Sequence, residues 1–126
     1  APLITDGLDT LQRLGGRELA AMAGAIIGAR LKYIPVILDG FVAGAAASTL
    51  KCMHSDALSH CLAAHVSAEP GHKLLLEKLS MPPLLNLNMR LGEASGATLA
   101  VGIIKAAVSC HSGMATFTEA GVNDKT

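Results

Sequence analysis

The sequence predicts an α/β fold: a layer of parallel strands with flanking helices. Three observations carry that expectation. The segments read in order as helix, strand, helix, strand, helix, the alternation a parallel sheet requires because each crossover needs room for a helix. One strand, Ile34-Pro35-Val36-Ile37-Leu38, is a short continuous apolar run rich in branched residues, as expected of a strand buried on both faces. Finally, 51% of the chain is apolar but only 2% is aromatic. The apolar content is therefore small and aliphatic, which suits closely packed helices.

Residues 1–14 mix Pro, Gly and charge and read as a leader, with one helical turn at residues 8–14. Gly15-Gly16 precedes a helix over residues 17–32, where Leu19, Met22, Ala23, Ile26, Ile27 and Arg30 recur at helical spacing. Pro35 stands near the start of the first strand, where a missing N–H is tolerable. Asp39-Gly40 ends that strand, and residues 41–53 return to helical character. Residues 60–66 form a second strand in spite of Ala63 and Ala64, which are poor β-formers. Residues 67–71 are a polar loop, and residues 72–79 a short helix stopped before Met81-Pro82-Pro83. Residues 84–89 alternate apolar residues with Asn without declaring a type. A long helix over residues 92–111 closes the pattern, with Gly96, Ala97, Ala100 and Gly102 as a small-residue stripe. No internal repeat or second domain is visible.

The 126 residues amount to a single domain, able to bury roughly two thirds of the surface of the unfolded chain. Ten basic and ten acidic residues balance, so no basic face tracks a nucleic-acid backbone or a membrane surface, and base-stacking aromatics are nearly absent. Nucleic-acid and membrane partners are not expected. Cys52, Cys61 and Cys110 are odd in number and show no scaffold spacing, so a reducing, cytoplasmic setting is the simpler reading. Residues 1–10 lack the basic start and apolar run of a secretory signal. The chain also lacks an initiator Met, which leaves processed, excised and incomplete forms open.

In parallel sheets ligands bind beyond the carboxyl ends of the strands, so Asp39-Gly40 and Ser67-Ala68-Glu69 are where chemistry is expected. Gly15-Gly16 before a helix could offer N–H groups to a phosphate or simply be an entry turn. Cys52, His54, His60, Cys61 and His65 do not show the tight pairs of a structural zinc site. On a strand His60 and His65 point to opposite faces, so no metal is assigned. A Ser–His or Cys–His nucleophile pair stays open, without a sequence signature to support it. Glu93, read as lying in the first turn of the last helix, needs no function there, because a carboxylate is favoured by the helix dipole.

Taken together, five segments say more. Leu14 to Ala25 (LGGRELAAMAGA), Ile34 to Phe41 (IPVILDGF), Ser67 to His72 (SAEPGH), Met89 to Ala97 (MRLGEASGA) and Met114 to Phe117 (MATF) occur in the order in which the chain resembles nicotinate-nucleotide–dimethylbenzimidazole phosphoribosyltransferases. The similarity runs from about residue 10 to residue 122, and it implies a single partial domain, the carboxy-terminal portion of a longer enzyme and part of a larger Rossmann-like doubly wound domain. Ala94 stands where many members have Gly, and Arg17 where an apolar residue is common. The resemblance implies transfer of phosphoribose from nicotinate mononucleotide to 5,6-dimethylbenzimidazole, giving α-ribazole phosphate and nicotinate for the lower ligand of cobalamin. It implies no cofactor, and a homodimer at full length. It places the catalytic base on Glu93, with Leu91 touching the flat base and Gly92 leaving room for it. Ser67 and the amide of Ala68 fall near the nucleotide phosphate, and Asp39 and Gly40 line the same cleft. Two alternatives remain: a truncated, non-catalytic homologue that binds a nucleotide or heterocycle, and a structural half that needs another chain to complete a site.

Overall fold

The computed structural model describes residue 4 and residues 6–122. The expected leader is helical. α1 (Gly7–Thr10) is capped by Asp6, whose carboxylate accepts the Asp9 N–H at 2.8 Å, and passes through a π-helical turn (Leu11–Gly15) into α2 (Gly16–Leu31). Buried Gly7 lies against the backbone of Thr49, so this segment packs on the body of the molecule. The parts of the expected leader at residues 1–3 and 5 lie outside the described residues. Gly15-Gly16 joins two helical segments, away from the cleft described below.

The rest alternates as expected: β1 (Val36–Leu38), α3 (Gly40–Met53), β2 (Cys61–His65), α4 (His72–Leu79), β3 (Pro83–Leu85) and α5 (Ser95–Gly113). The strands are parallel in the order β1-β2-β3, with Val36 opposite Cys61, Leu38 opposite Ala63 and His65 opposite Leu85. β3 went unrecognised in the sequence because Pro82-Pro83 reads as a breaker. Pro83 is the first residue of an edge strand, one of the places where a sheet accepts proline.

Ala23 and Ile26 of α2, Leu38 of β1, Ala47 and Leu50 of α3, Cys61 of β2 and Leu79 of α4 form one buried cluster, so these helices share one face of the sheet. Side chains alternate along a strand, which turns Ala64 to the opposite face, where α5 lies over β2. Ala64 and Ala100 of α5 are both fully buried. Close approach of helices to both faces of β2 is why alanines occupy the central strand despite their poor β-propensity. β1 departs from expectation: only Leu38 is buried, and Ile34 before it is 54% exposed. Gly102 of the small-residue stripe is also exposed, whereas Gly96 and Ala100 are buried. Leu99, Val101, Ile103 and Val108 of α5 are exposed, and they lie on more than one side of the helix. No helix among the described residues is long and apolar enough to cross a membrane.

Candidate active site

The carboxyl ends of the three strands open into one cleft. At the first, Asp39 occupies the N-cap position of α3 and Gly40 follows at φ 72°. Asp is among the best N-caps, yet its carboxylate makes no bond to its own helix. Asp39 Oδ1 instead accepts the Ala97 N–H at 2.7 Å, in the first turn of α5. α5 needs that acceptor, because its own N-cap is Ala94, which has only a methyl group. A charge-assisted hydrogen bond of this kind is worth about 1.5–3 kcal/mol when partly shielded.

At the second strand end, His65 is 3% exposed and its Nε2 lies 3.6 Å from Asp39 Oδ1, beyond hydrogen-bond length. Neither ring nitrogen has a hydrogen-bond partner. The ring is packed against Gly96, where a Cβ would come within 2.6 Å of Nε2 and closer still to Cδ2. Only glycine permits this approach of α5 to the sheet. Ser67 follows in the turn towards α4, and that turn is built around His72, 1% exposed. His72 Nδ1 accepts the Ser67 N–H at 2.9 Å and lies 2.8 Å from Ser67 Oγ. An Nδ1 that accepts places the ring proton on Nε2. Burial pushes the His72 pKa below its ordinary value, the nearby His65 adds to that, and Asp39 opposes it. A Ser–His pair therefore exists, but its Nδ1 also takes the Ser67 backbone N–H, so the ring braces the turn.

The Ala68 amide, which the resemblance places near a phosphate, donates to the Met89 carbonyl at 2.9 Å, and Ala68 is not among the residues lining the cleft. The bond fastens the loop after β3 to the turn after β2, which leaves this N–H nothing to offer an anion.

That third loop, residues 86–94, carries Arg90, Leu91, Gly92 and Glu93. The last helix begins at Ser95 and not at Gly92, so Glu93 lies ahead of the first helical turn. Gly92, Glu93 and Ala94 have φ of 76°, 54° and 57°, three consecutive residues in the left-handed region. Glycine bears this readily, but the two others cost about 1–2 kcal/mol each, so surrounding contacts must hold them. A turn bond from Ser95 N–H to the Gly92 carbonyl at 3.0 Å contributes, as does the Thr98 N–H on the Ala94 carbonyl at 2.9 Å. Arg90 Nε donates to Glu69 Oε1 at 2.6 Å across the cleft rim.

Asp39, Gly40, Ser67, Leu91, Gly92 and Glu93 all line this cleft, whose volume is about 660 Å³. Met22, Phe41, Val42 and Leu91 give it an apolar wall, and Glu93, Ser67, Glu69 and Arg90 give it polar groups. Leu91 is 76% exposed, an apolar side chain presented to the opening. The α3 N-terminus lacks a capping side chain, and its first residues, Gly40 to Ala43, face the same space. Backbone N–H groups there suit an anion. A second cleft of about 480 Å³ runs beside α4 and β3, with Val66 after β2 and Asn86 after β3 in its lining, and only Lys73 and Glu77 are charged in it.

Sequence reasoning missed His65, His72 and Arg90. A usable signal existed for His65: a polar ring closing an apolar strand must be buried beside something polar. Of the cysteine and histidine residues between Cys52 and His65, only His60 and Cys61 are in side-chain contact, at 3.7 Å. His60 Nε2 meets the Ile26 carbonyl at 3.0 Å, the His54 ring accepts the Asp56 N–H, and burial raises the Cys61 thiol to about 11. No group of three metal-binding side chains occurs among the described residues.

A family model described as phosphoribosyltransferase matches residues 2–122. Over 122 residues the chain is 63% identical to the nicotinate-nucleotide–dimethylbenzimidazole phosphoribosyltransferase of Rhizobium rhizogenes, covering 97% of this chain and 36% of that protein. Identity to the protein of the same name from a Sinorhizobium species is 62%, with the same coverage. The crystal structure of the Thermus thermophilus enzyme superposes with a TM-score of 0.88 at 40% identity, over 96% of this chain and 36% of that one. The chain thus spans about a third of the length of the relatives it matches.

Proposed function

The chain belongs to the nicotinate-nucleotide–dimethylbenzimidazole phosphoribosyltransferase family, and from that premise we propose that its cleft is part of the site joining a benzimidazole to phosphoribose. The donor is nicotinate mononucleotide and the acceptor 5,6-dimethylbenzimidazole, the substrates the relatives' names point to. The chain spans about a third of the length of its relatives, and the rest of such an enzyme would supply the remaining walls.

One ring nitrogen of the benzimidazole attacks C1′ of the ribose, opposite the nicotinate. The C1′–N bond to nicotinate breaks with its electron pair going to the departing ring, and the anomeric centre inverts. The attacking ring would become cationic unless its other N–H is lost, and the Glu93 carboxylate takes that proton. Leu91 and Gly92 border the flat base. The Ser67 hydroxyl and the uncapped first turn of α3 at Gly40 face the phosphate, while the Ala68 amide has no part. No cofactor is required by this chemistry.

The observation that carries the reading is the convergence of Glu93, Ser67 and Gly40 on one cleft at the carboxyl end of a parallel sheet. A homodimer at full length accords with the exposed apolar side chains of α5, and a cytoplasmic setting with three free thiols. The test is Glu93→Gln in the full-length enzyme. Turnover should fall by about 10²–10⁴-fold, the usual worth of general-base help, with nucleotide binding little changed. The 126 residues alone should show little or no turnover, because an incomplete pocket cannot hold two substrates in line. A Gln variant as fast as the parent would reduce Glu93 to a loop carboxylate.

A further inference from the structure

We infer that Asp39 is a positioning residue for Glu93, acting by holding the first turn of α5 and not by touching substrate. The inference rests on the reading of Glu93 as the base.

Asp39 stands where it could cap its own helix and does not. Its Oδ1 reaches across 58 positions of sequence to the Ala97 N–H, at 2.7 Å. Ala97 is four residues beyond Glu93, one turn into the element that the strained Gly92–Glu93–Ala94 stretch leads into. Apolar periodicity and small residues favour a helix from Gly92 onward, yet the helix begins only at Ser95. Without an outside tie, Glu93 and Ala94 would relax from the left-handed region into right-handed helix, where non-glycine residues are at ease. The helix would grow backwards, and each added residue would turn the Glu93 side chain by about 100° around the axis, away from its place in the cleft.

His65 makes the tie specific. Its ring is 3% exposed, without a hydrogen bond, wedged between the Asp39 carboxylate and Gly96. The ring and Gly96 fix how closely α5 approaches the sheet, and the Asp39–Ala97 bond fixes where its first turn starts. Asp39 and His65 therefore form a buttress under the loop that presents Glu93.

Four variants of the full-length enzyme test this: Asp39→Asn, Asp39→Glu, Asp39→Ala and Asp39→Ala combined with Glu93→Gln. Asn keeps an acceptor oxygen in place without the charge, whereas Glu keeps the charge and displaces the acceptor by one methylene. Positioning requires Asn to stay within about threefold of the parent kcat and Glu to lose more than Asn. Asp39→Ala should lower kcat by about 10–100-fold with KM for the nucleotide nearly unchanged, as a misplaced catalytic group does. Because Asp39 acts through Glu93, the double variant should be no slower than Glu93→Gln alone. Multiplying losses, a rise in KM in place of a fall in kcat, or Glu outperforming Asn would each overturn the inference. If Ala does not fold, the Asn and Glu order still decides. A Glu93→Gln enzyme at full speed would sink the base reading and this inference with it. A slow Glu93→Gln enzyme beside a normal Asp39→Ala enzyme would sink this inference alone.

Discussion

The β1–α3 and β3–α5 junctions perform the same task, carrying the chain from a strand end into a helix at the mouth of the cleft, by opposite means. The first uses a single residue, Asp39, in extended conformation. The second uses residues 86–94, of which Asn88, Gly92, Glu93 and Ala94 lie at positive φ. The short junction leaves the first turn of α3 without a side-chain cap and lends its carboxylate to α5. The long one holds a strained backbone, has no capping side chain, and takes its acceptor from the short one. In this cleft the more ordinary turn supports the unusual one, and the unusual one carries the candidate base.

The contrast breaks most sharply at Gly96. A methyl group there meets the buried His65 ring, which has no room to retreat. Gly96→Ala gains about 1 kcal/mol of helix propensity but suffers overpacking of about 1–3 kcal/mol or more. With so short a contact the upper end applies, and equilibrium denaturation should show a net loss of about 2 kcal/mol. A neutral or stabilised variant would mean that α5 is not seated on β2 as described.

The β2–α4 turn lies between the two extremes, since it is braced from within by His72. The folded-state pKa of His72 lies below its ordinary 6.5, mainly through burial. Above pH 6.5 the ring is neutral whether folded or unfolded, and its contribution is complete. As pH falls below 6.5 the unfolded chain takes up the proton first, so stability declines until the lower folded-state pKa is passed. His72→Asn retains an acceptor for the Ser67 N–H and removes the titration. Its melting temperature should therefore fall less than the parent's between pH 6.5 and the acid side, and parallel curves would discount the brace.

The smallest expected effect is a gain. Ala94 sits at φ 57°, where a β-carbon is costly and glycine is not. Ala94→Gly should stabilise the fold by about 0.5–1 kcal/mol in the same denaturation assay. A loss would show that the loop's strain is borne elsewhere than at Ala94.

Much of this was legible from residues 34–41 and 72–79. Branched residues followed by Asp-Gly announce a strand and its end, and the helix after Gly71 spans the residues its periodicity marks. Other features were hidden for identifiable reasons. Pro82-Pro83 masks β3, since a proline that breaks a central strand is acceptable as the first residue of an edge strand. The packing of Gly7 against Thr49, which seats the expected helical leader on the body of the molecule, is a long-range contact that no local pattern reports.

By itself, then, the sequence determined the α/β alternation, the two runs that became β1 and β2, and, through motif resemblance, six of the residues that line the cleft: Asp39, Gly40, Ser67, Leu91, Gly92 and Glu93. Those are properties of local periodicity and of short strings, which a linear reading contains. Only the tertiary structure decided that α5 starts at Ser95, that the Ala68 amide is used by Met89, and that Asp39 serves a helix other than its own. Each of these depends on a hydrogen bond between residues far apart in sequence. Local propensity favoured a different outcome at Gly92 to Ala94, and it was overridden because packing on His65 and the bond from Asp39 together hold the strained turn in place.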